Sequence, residues 1–253
     1  MSKNLPSISI ITAVRNGAET LHDCIASVSC QTVRAEHVII DGGSTDGALD
    51  VIEEYRRDLA TVVSEPDRGV YDAMNKGIRL ASADVVGILN ADDFYSHPEV
   101  LERVAQAFID SRVACCYADL NYVDRLYTSR VIRAWRSGRY DTRSFYWGWM
   151  PPHPTFFVRK EVYERLGGFN LAMGSTADYE LMLRFLVKHG LPAVYIPEVI
   201  VNMRCGGMSN ATIKGRIKAN RMDRKAWKVN GLKPYPWTLF MKPMRKIGQY
   251  LRT

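Results

Sequence analysis

Residues 64–93, SEPDRGVYDAMNKGIRLASADVVGILNADD, hold the end of one strand, a loop, a helix, a second strand and a closing pair of acids. Residues 61–64 read as a brief strand, 70–81 as a helix and 84–89 as a strand that stops at Asn90-Ala91-Asp92-Asp93. Working outward, 7–14 (SISIITAV) is β-branched and almost continuously apolar, as a strand buried on both faces must be. Residues 18–30 read as a helix, and 37–40 as a strand stopped by Asp41-Gly42-Gly43. Residues 46–59 read as a helix with Ser44, Thr45 or Asp46 as its N-cap. A helix at 97–110 and a strand at 113–118 follow. Strands alternate with helices through the first 120 residues, the pattern of an open, doubly wound, mostly parallel sheet. Ligands of such sheets sit at the carboxyl ends of the strands. Arg15-Asn16, Asp41, Glu65-Pro66-Asp67 and Asp92-Asp93 each follow a strand, so all fall along one edge.

The second half reads differently. Residues 121–140 predict a hairpin, and 145–154 (FYWGWMPPHP) a proline-braced loop. Residues 161–166 form a short helix closed by Gly167-Gly168, and 177–189 a helix buried on much of its surface. The chain of 253 residues, 47% hydrophobic and 24% charged, is long enough for one large α/β domain. No signal-peptide pattern and no apolar run long enough to span a membrane is present in the sequence. Five cysteines without metal spacing read as reduced thiols, so the expectation is a cytoplasmic protein.

The net charge of +7 is unevenly spread. From Asn210 on there are 12 Lys and Arg against one acid, a net of +11; the other 209 residues carry 22 basic and 26 acidic side chains, a net of −4. The basic part is thus one segment, 210–253, and a nucleic-acid partner is not expected for the whole. In that segment Trp237, Phe240, Met241, Met244, Ile247 and Leu251 share one helical face, with Lys242, Arg245, Lys246 and Arg252 on the other. That is the composition of a helix lying on an anionic membrane surface, kinked or started at Pro243. A helix docked on the protein's own body with a solvated basic side has the same pattern.

Adjacent acids after a buried strand suit a hard divalent ion, Mg²⁺ or Mn²⁺, that also grips a diphosphate; Asp92 and Asp93 are the candidates, with a helix cap as the plainer reading. Asp41 before two glycines can accept from a base N–H while a flat ring comes close, or can close an Asx-turn. No Gly-Lys-Ser/Thr follows it and no G-x-G-x-x-G follows the first strand, which argues against a P-loop and a nicotinamide cofactor. A nucleotidyltransferase would want a Gly-rich, basic loop where Arg15-Asn16-Gly17-Ala18 stands. Asp178 opens the 177–189 helix, where a carboxylate can serve as general base or complement the helix dipole. Arg184 can pair with Glu180 four residues earlier.

The ordered series SIITAVRNGAETLHDCIASVSCQ, VIIDGGSTDG, SEPDRGVYDAMNKGIRLASADVVGILNADD, HPTFFVRKEVYERLGGFN and ADYELMLRF closely resembles family 2 glycosyltransferases, over about residues 7–210. The nearest likeness is to bacterial enzymes that build exopolysaccharide, colanic-acid-type or O-antigen units. The resemblance implies a GT-A fold, a nucleotide-sugar donor, a divalent metal and inversion at the anomeric carbon. It implies a GT-A domain over 1–209, with a nucleotide-sugar half (1–120) and an acceptor half (121–209), before the basic tail. By position, Asp41 bonds the nucleobase, Arg15 and Asn16 line the nucleotide, and Asp67, Arg68, Asn75 and Lys76 border base and diphosphate. Asn90, Ala91 and Asp92 line the donor at the D-x-D position, Asp92 and Asp93 hold the metal, and Asp178 is the catalytic base. The loop 204–209 resembles one that closes over the donor diphosphate, which would put Arg204 on phosphate; a structural turn is the other reading. Trp147, Trp149 and His153 are candidates for the acceptor site, since sugars stack on aromatic faces. Two departures stand out: Asn90 replaces the first acid of D-x-D, and Ala177 replaces the acid before Asp178. They leave a non-catalytic GT-A-like scaffold as the alternative. The expected activity is sugar transfer from a nucleotide-diphosphate donor, by family habit UDP-linked, to a glycan or polyprenyl-diphosphate-linked acceptor at the inner face of the cell membrane.

Overall fold

In the computed structural model, which describes residues 5–206 and 213–247, strand β1 (Ile8–Val14) is buried at all seven positions. It runs parallel between β2 (Glu36–Asp41) and β4 (Val85–Ile88), with β3 (Thr61–Ser64) beyond β2. Strand side chains alternate between faces, so β1 feeds two cores. Ile11 and Ala13 pack with Met74 and Ile78 on one side; Ile8 and Ile10 pack with Cys24 and Val28 on the other. The connecting helices are α1 (Ala18–Ser29), α2 (Ala48–Glu54) and α3 (Val70–Leu80). The α2 helix is shorter than expected and starts after Gly47, while Asp46 bonds the backbone N–H groups of both Ala48 and Ala18.

Further along come β5 (Asp93–Tyr95), α4 (Val100–Ala107), β6 (Cys115–Val123), β7 (Val131–Trp135), β8 (Phe157–Arg159), α5 (Lys160–Leu166), α6 (Ala177–Met182) and β9 (Ala193–Arg204). The sheet order is β3-β2-β1-β4-β8-β6-β9-β5, with β7 paired to β6. The expected open α/β sheet is present, parallel over its first half and mixed over its second. There β8 runs antiparallel to both β4 and β6, and β5 antiparallel to β9. The chain reaches β8 from the β6–β7 hairpin through residues 136–156, with no α-helix between them.

Three details differ from the sequence expectation. The aromatic loop contains two 3₁₀ segments, Thr142–Trp147 and His153–Thr155. The helix from Ala177 continues as a π-helical turn over Leu183–Lys188, where Arg184 is bonded to the carbonyls of Leu166, Gly167 and Gly168 and to Glu180. And the basic segment does not stand apart. Helix α7 (Ile213–Val229) buries Ala226 and Trp227 in the same core as Ile11. The Trp227 indole N–H donates to the Tyr179 hydroxyl at 3.0 Å, and the Asn230 amide donates to Glu180. Helix α8 (Thr238–Ile247) seals against the backbone at Gly148, where an added Cβ would lie 2.4 Å from the Lys242 nitrogen. Residues 207–212, with Met208 and Ser209, and residues 248–253, with Leu251 and Arg252, lie outside the described residues, as do the side chains of Lys246 and Ile247.

Candidate active site

The carboxyl ends of β1, β2, β3 and β4 bring the predicted donor residues to one edge. Asn16 follows β1 in the left-handed region, φ 53°, which Asn tolerates better than most residues. Its side chain accepts from the Thr45 N–H at 2.9 Å and its own N–H donates to Ser44 Oγ at 2.8 Å, stitching the loops after β1 and β2 together. Asp41 is fully buried, and its carboxylate accepts from Ser64 Oγ and from the N–H groups of Gly43 and Ser44. The Asx-turn reading therefore describes its bonds: Asp41 shapes the loop.

The Asp67 side chain lies nearly buried beside Gly42. An added Cβ at Gly42 would lie 3.3 Å from Asp67 Oδ2 and 3.4 Å from Arg15 Cβ, so glycine keeps a slot between these side chains. Lys76, on α3, holds Asp67 at 2.6 Å and Glu65 at 2.6 Å. Arg68 is exposed and pairs with Asp72 at 3.2 Å. Asn75 is committed elsewhere: Nδ2 donates to the Phe169 carbonyl at 2.9 Å and Oδ1 accepts from the Phe169 N–H at 2.8 Å. Its amide ties α3 to the loop ahead of α6, which is why it is not carried forward as a donor contact.

The two acids after β4 part company. Asp93 opens β5, is fully buried, and accepts from the Asn90 amide at 2.8 Å. Burial, reinforced by the Asp92 charge, pushes its carboxyl well above the usual range. Asp93 is fully buried and Asp92 half-buried, so Asp92 is the more accessible of the two to a cation. Asp92 itself is half-buried, and Ala91 packs beside Gly17 and the core at Val14. No cluster of three acid, His or Cys side chains able to hold a metal occurs among the described residues. Mg²⁺ commonly uses one or two carboxylates with the rest of its shell from phosphate and water. A half-exposed Asp92 on a pinned turn fits that arrangement.

The pin is Arg204. It is buried, donates to the Asp92 carbonyl at 3.0 Å, pairs with Asp23, and lies over the Phe94 ring at 4.9 Å. Through these contacts Arg204 fixes the acidic turn from behind. Arg125, held by Glu19 at 2.7 Å and within electrostatic reach of Asp92, is a positive charge that the sequence analysis did not single out.

Asp178 is half-buried at the start of α6. Tyr71 on α3 lies within electrostatic reach of it; burial, then the Asp178 charge, raises the phenol above its ordinary range. His153 stands nearby, held neutral by burial against the pull of the Asp178 charge. The Phe169 ring lies between them, 5.1 Å from Tyr71 and 5.5 Å from His153. Tyr71 was hidden in the sequence because Tyr71, Met74 and Ile78 share the spacing of a core face. Of the other aromatic candidates, Trp149 is a core residue whose indole N–H donates to the Ser137 carbonyl at 2.7 Å, so it presents no stacking face. Trp147 is exposed but packs on Trp237, 5.7 Å away.

Residues 9–167 match the family model described as glycosyl transferase family 2, well over half the chain. The chain belongs to glycosyl transferase family 2. This family 2 chain is 32% identical over 213 residues to a PGL/p-HBAD biosynthesis glycosyltransferase of Mycobacterium bovis, covering 82% of this chain and 81% of that protein. It is 26% identical to chondroitin synthase of Escherichia coli over 84% of this chain and 31% of that protein. Among solved structures, S. aureus TarS in complex with UDP superposes with a TM-score of 0.65 at 15% identity, over 87% of this chain and 65% of that one, a little under two thirds. The mannosyltransferase PcManGT of Pyrobaculum calidifontis, in complex with GDP-Man and Mn²⁺, superposes with a TM-score of 0.64 at 21% identity, over 98% of this chain and 70% of that one. The fold is accordingly that of the GT-A glycosyltransferases, and the chain is a transferase by family.

Proposed function

We propose that the protein is an inverting, metal-dependent hexosyltransferase that moves a sugar from a nucleotide-diphosphate donor, UDP-linked by preference, to a glycan or polyprenyl-diphosphate-linked acceptor in bacterial surface polysaccharide synthesis. One observation carries the reading: helix α3 holds Asp67 through Lys76 on the donor side and brings Tyr71 within reach of Asp178 on the other. A single rigid element thus spaces the nucleotide loop from the base.

In this mechanism the nucleobase enters the slot at Gly42, between Arg15 and Asp67. Asp92 and the diphosphate together hold Mg²⁺ or Mn²⁺, which when bound offsets the charge developing on the departing nucleoside diphosphate. Arg15, Arg68 and Arg125 add fixed positive charge along the same edge. Asp178 takes the proton from an acceptor hydroxyl that attacks the far face of the anomeric carbon. Tyr71 orients that carboxylate, and neutral His153 can bond an acceptor hydroxyl without competing for its proton. The protein works at the inner face of the cell membrane as a peripheral protein; no helix among the described residues is long and apolar enough to cross a bilayer.

Calorimetric titration of UDP, GDP and dTDP, with and without Mn²⁺, tests the donor half. Binding of one nucleotide that requires the metal and is lost in Asp92→Ala is the expected result. For the base, Asp178→Asn is expected to lower transfer by about 10²–10⁴-fold with nucleotide affinity unchanged. Retained transfer with lost affinity would overturn that role. The non-catalytic scaffold raised by Asn90 and Ala177 is excluded by turnover of any donor.

A further inference from the structure

Helix α8 keeps three residues of the apolar face read from its sequence on the outside and turns part of its basic face inward. Thr238 and Leu239 are buried, and Met241 and Lys242 turn toward the body. Lys242 pairs with Asp223 at 2.9 Å and lies 3.6 Å above the Tyr179 ring, so this cation is not part of the free basic surface. What remains outside is a stripe at positions 237, 240 and 244: Trp237, Phe240 and Met244, which are 43, 65 and 58% exposed.

The stripe is extended by residues from elsewhere in the chain. Tyr235, 46% exposed, packs its ring 5.1 Å from Trp237, and Trp147, 47% exposed, packs 5.7 Å from Trp237 on its other side. Five large side chains are therefore half in water on one continuous surface, and contiguous apolar patches of this kind mark interaction sites. Arg143, Lys233 and Arg245 are exposed around them, and Arg245 reaches the Trp147 carbonyl at 3.5 Å. The sequence from Arg224 to the end has eight Lys and Arg and no acid.

We propose that Trp147, Tyr235, Trp237, Phe240 and Met244 form a composite face that seats the protein on an anionic lipid bilayer. Trp and Tyr rings favour the boundary between headgroups and acyl chains because one end is apolar and the other polar. Basic side chains around such a face are drawn to negatively charged headgroups. A second copy of the chain fits less well, because a two-fold contact would press two positively charged surfaces together.

The face rests on the transferase reading for its purpose, and deepens it. Trp147 ends the 3₁₀ segment whose loop runs on to His153, beside Asp178. An acceptor held in the bilayer by a lipid tail would then meet the base from the side on which the protein is seated. Lipid binding itself does not depend on catalysis, so the two ideas fail separately.

The test is flotation of the full chain with phosphatidylglycerol–phosphatidylcholine vesicles and with phosphatidylcholine vesicles, over a salt series. The wild type is expected to bind the anionic vesicles, to release with salt, and to shift its tryptophan emission to the blue. The double variant Trp237→Ser/Phe240→Ser, which changes only exposed side chains, is expected to bind at least about tenfold more weakly, with unchanged melting temperature and nucleotide affinity. Asp178→Asn is expected to float as the wild type does. Equal flotation of wild type and double variant overturns the proposal, as does failure of the wild type to bind anionic vesicles. A wild type that stays off vesicles but is a dimer, turned monomeric by the double variant, assigns the face to a second copy instead.

Discussion

Replacing Asn75 by Ala separates two accounts of one residue. By resemblance Asn75 borders the donor; in the structure its amide bridges 94 positions of sequence to both backbone groups of Phe169, at 2.9 and 2.8 Å. Removing the amide forfeits two hydrogen bonds, each worth about 0.5–1.5 kcal/mol net, and leaves a partly buried N–H and C=O short of partners. Water reaches part of the gap, so the loss comes to about 2–3 kcal/mol. For a chain of this size each kcal/mol moves the melting temperature by about 2–4 °C, so Asn75→Ala should melt about 4–12 °C lower. Calorimetric melting and UDP titration read the two accounts at once. The structure predicts the lower melting point with little change in UDP affinity, and a fall in turnover because Phe169 separates Tyr71 from His153. Unchanged melting with a tenfold or greater loss of UDP affinity would refute the bridge as the residue's role.

Two other substitutions follow from the same geometry. Tyr71→Phe removes the hydroxyl beside Asp178 and keeps the ring against Phe169. Turnover should fall about tenfold at constant UDP affinity and unchanged melting temperature; unchanged turnover would count against Tyr71 as the positioning residue. His37→Gln addresses stability. His37 is fully buried against Thr12 Oγ1 at 3.0 Å, and burial alone holds its imidazole down to about 3. Below its ordinary value near 6.5 the unfolded chain takes up a proton that the folded chain refuses. The contribution is therefore complete above pH 6.5 and is lost as pH falls toward 3, by up to about 1.4 kcal/mol per unit. Urea unfolding at pH 7.5 and pH 5 should show the wild type losing about 2 kcal/mol more than His37→Gln over that range; equal losses would place the acid sensitivity elsewhere.

The parallel half of the sheet was legible because its strands are short apolar runs and its helices carry one buried stripe: 7–14 became Ile8–Val14 and 70–81 became Val70–Leu80. Strands β5 and β8 were not, since three residues carry too little periodicity, and β9 mixes Tyr, Pro, Glu and Asn into its apolar run. The edge that gathers Arg15, Asp67 and Asp92 was also legible, because strand ends in an open sheet lie on one side whatever the loops do.

By itself the sequence determined the alternation of strands and helices and the edge of the sheet at which Arg15, Asp67 and Asp92 gather. These follow from local properties: period, strand length and the residues just after each strand. Only the tertiary structure decided how the remaining polar groups are used. Asp41, Asn75 and Arg204 all carry chemistry that fits a nucleotide, yet each is engaged by partners far away in sequence or by its own turn. Asp93 and Asp92 are neighbours of the same type, separated by one being inside and one at the surface. The basic segment, read alone, fitted either a membrane helix or one docked on the body; in three dimensions Trp227 and Asn230 bind it to α6, and α8 turns Lys242 of its basic face inward. A hydrogen bond or a buried charge depends on what arrives from the rest of the chain, and that information is not local.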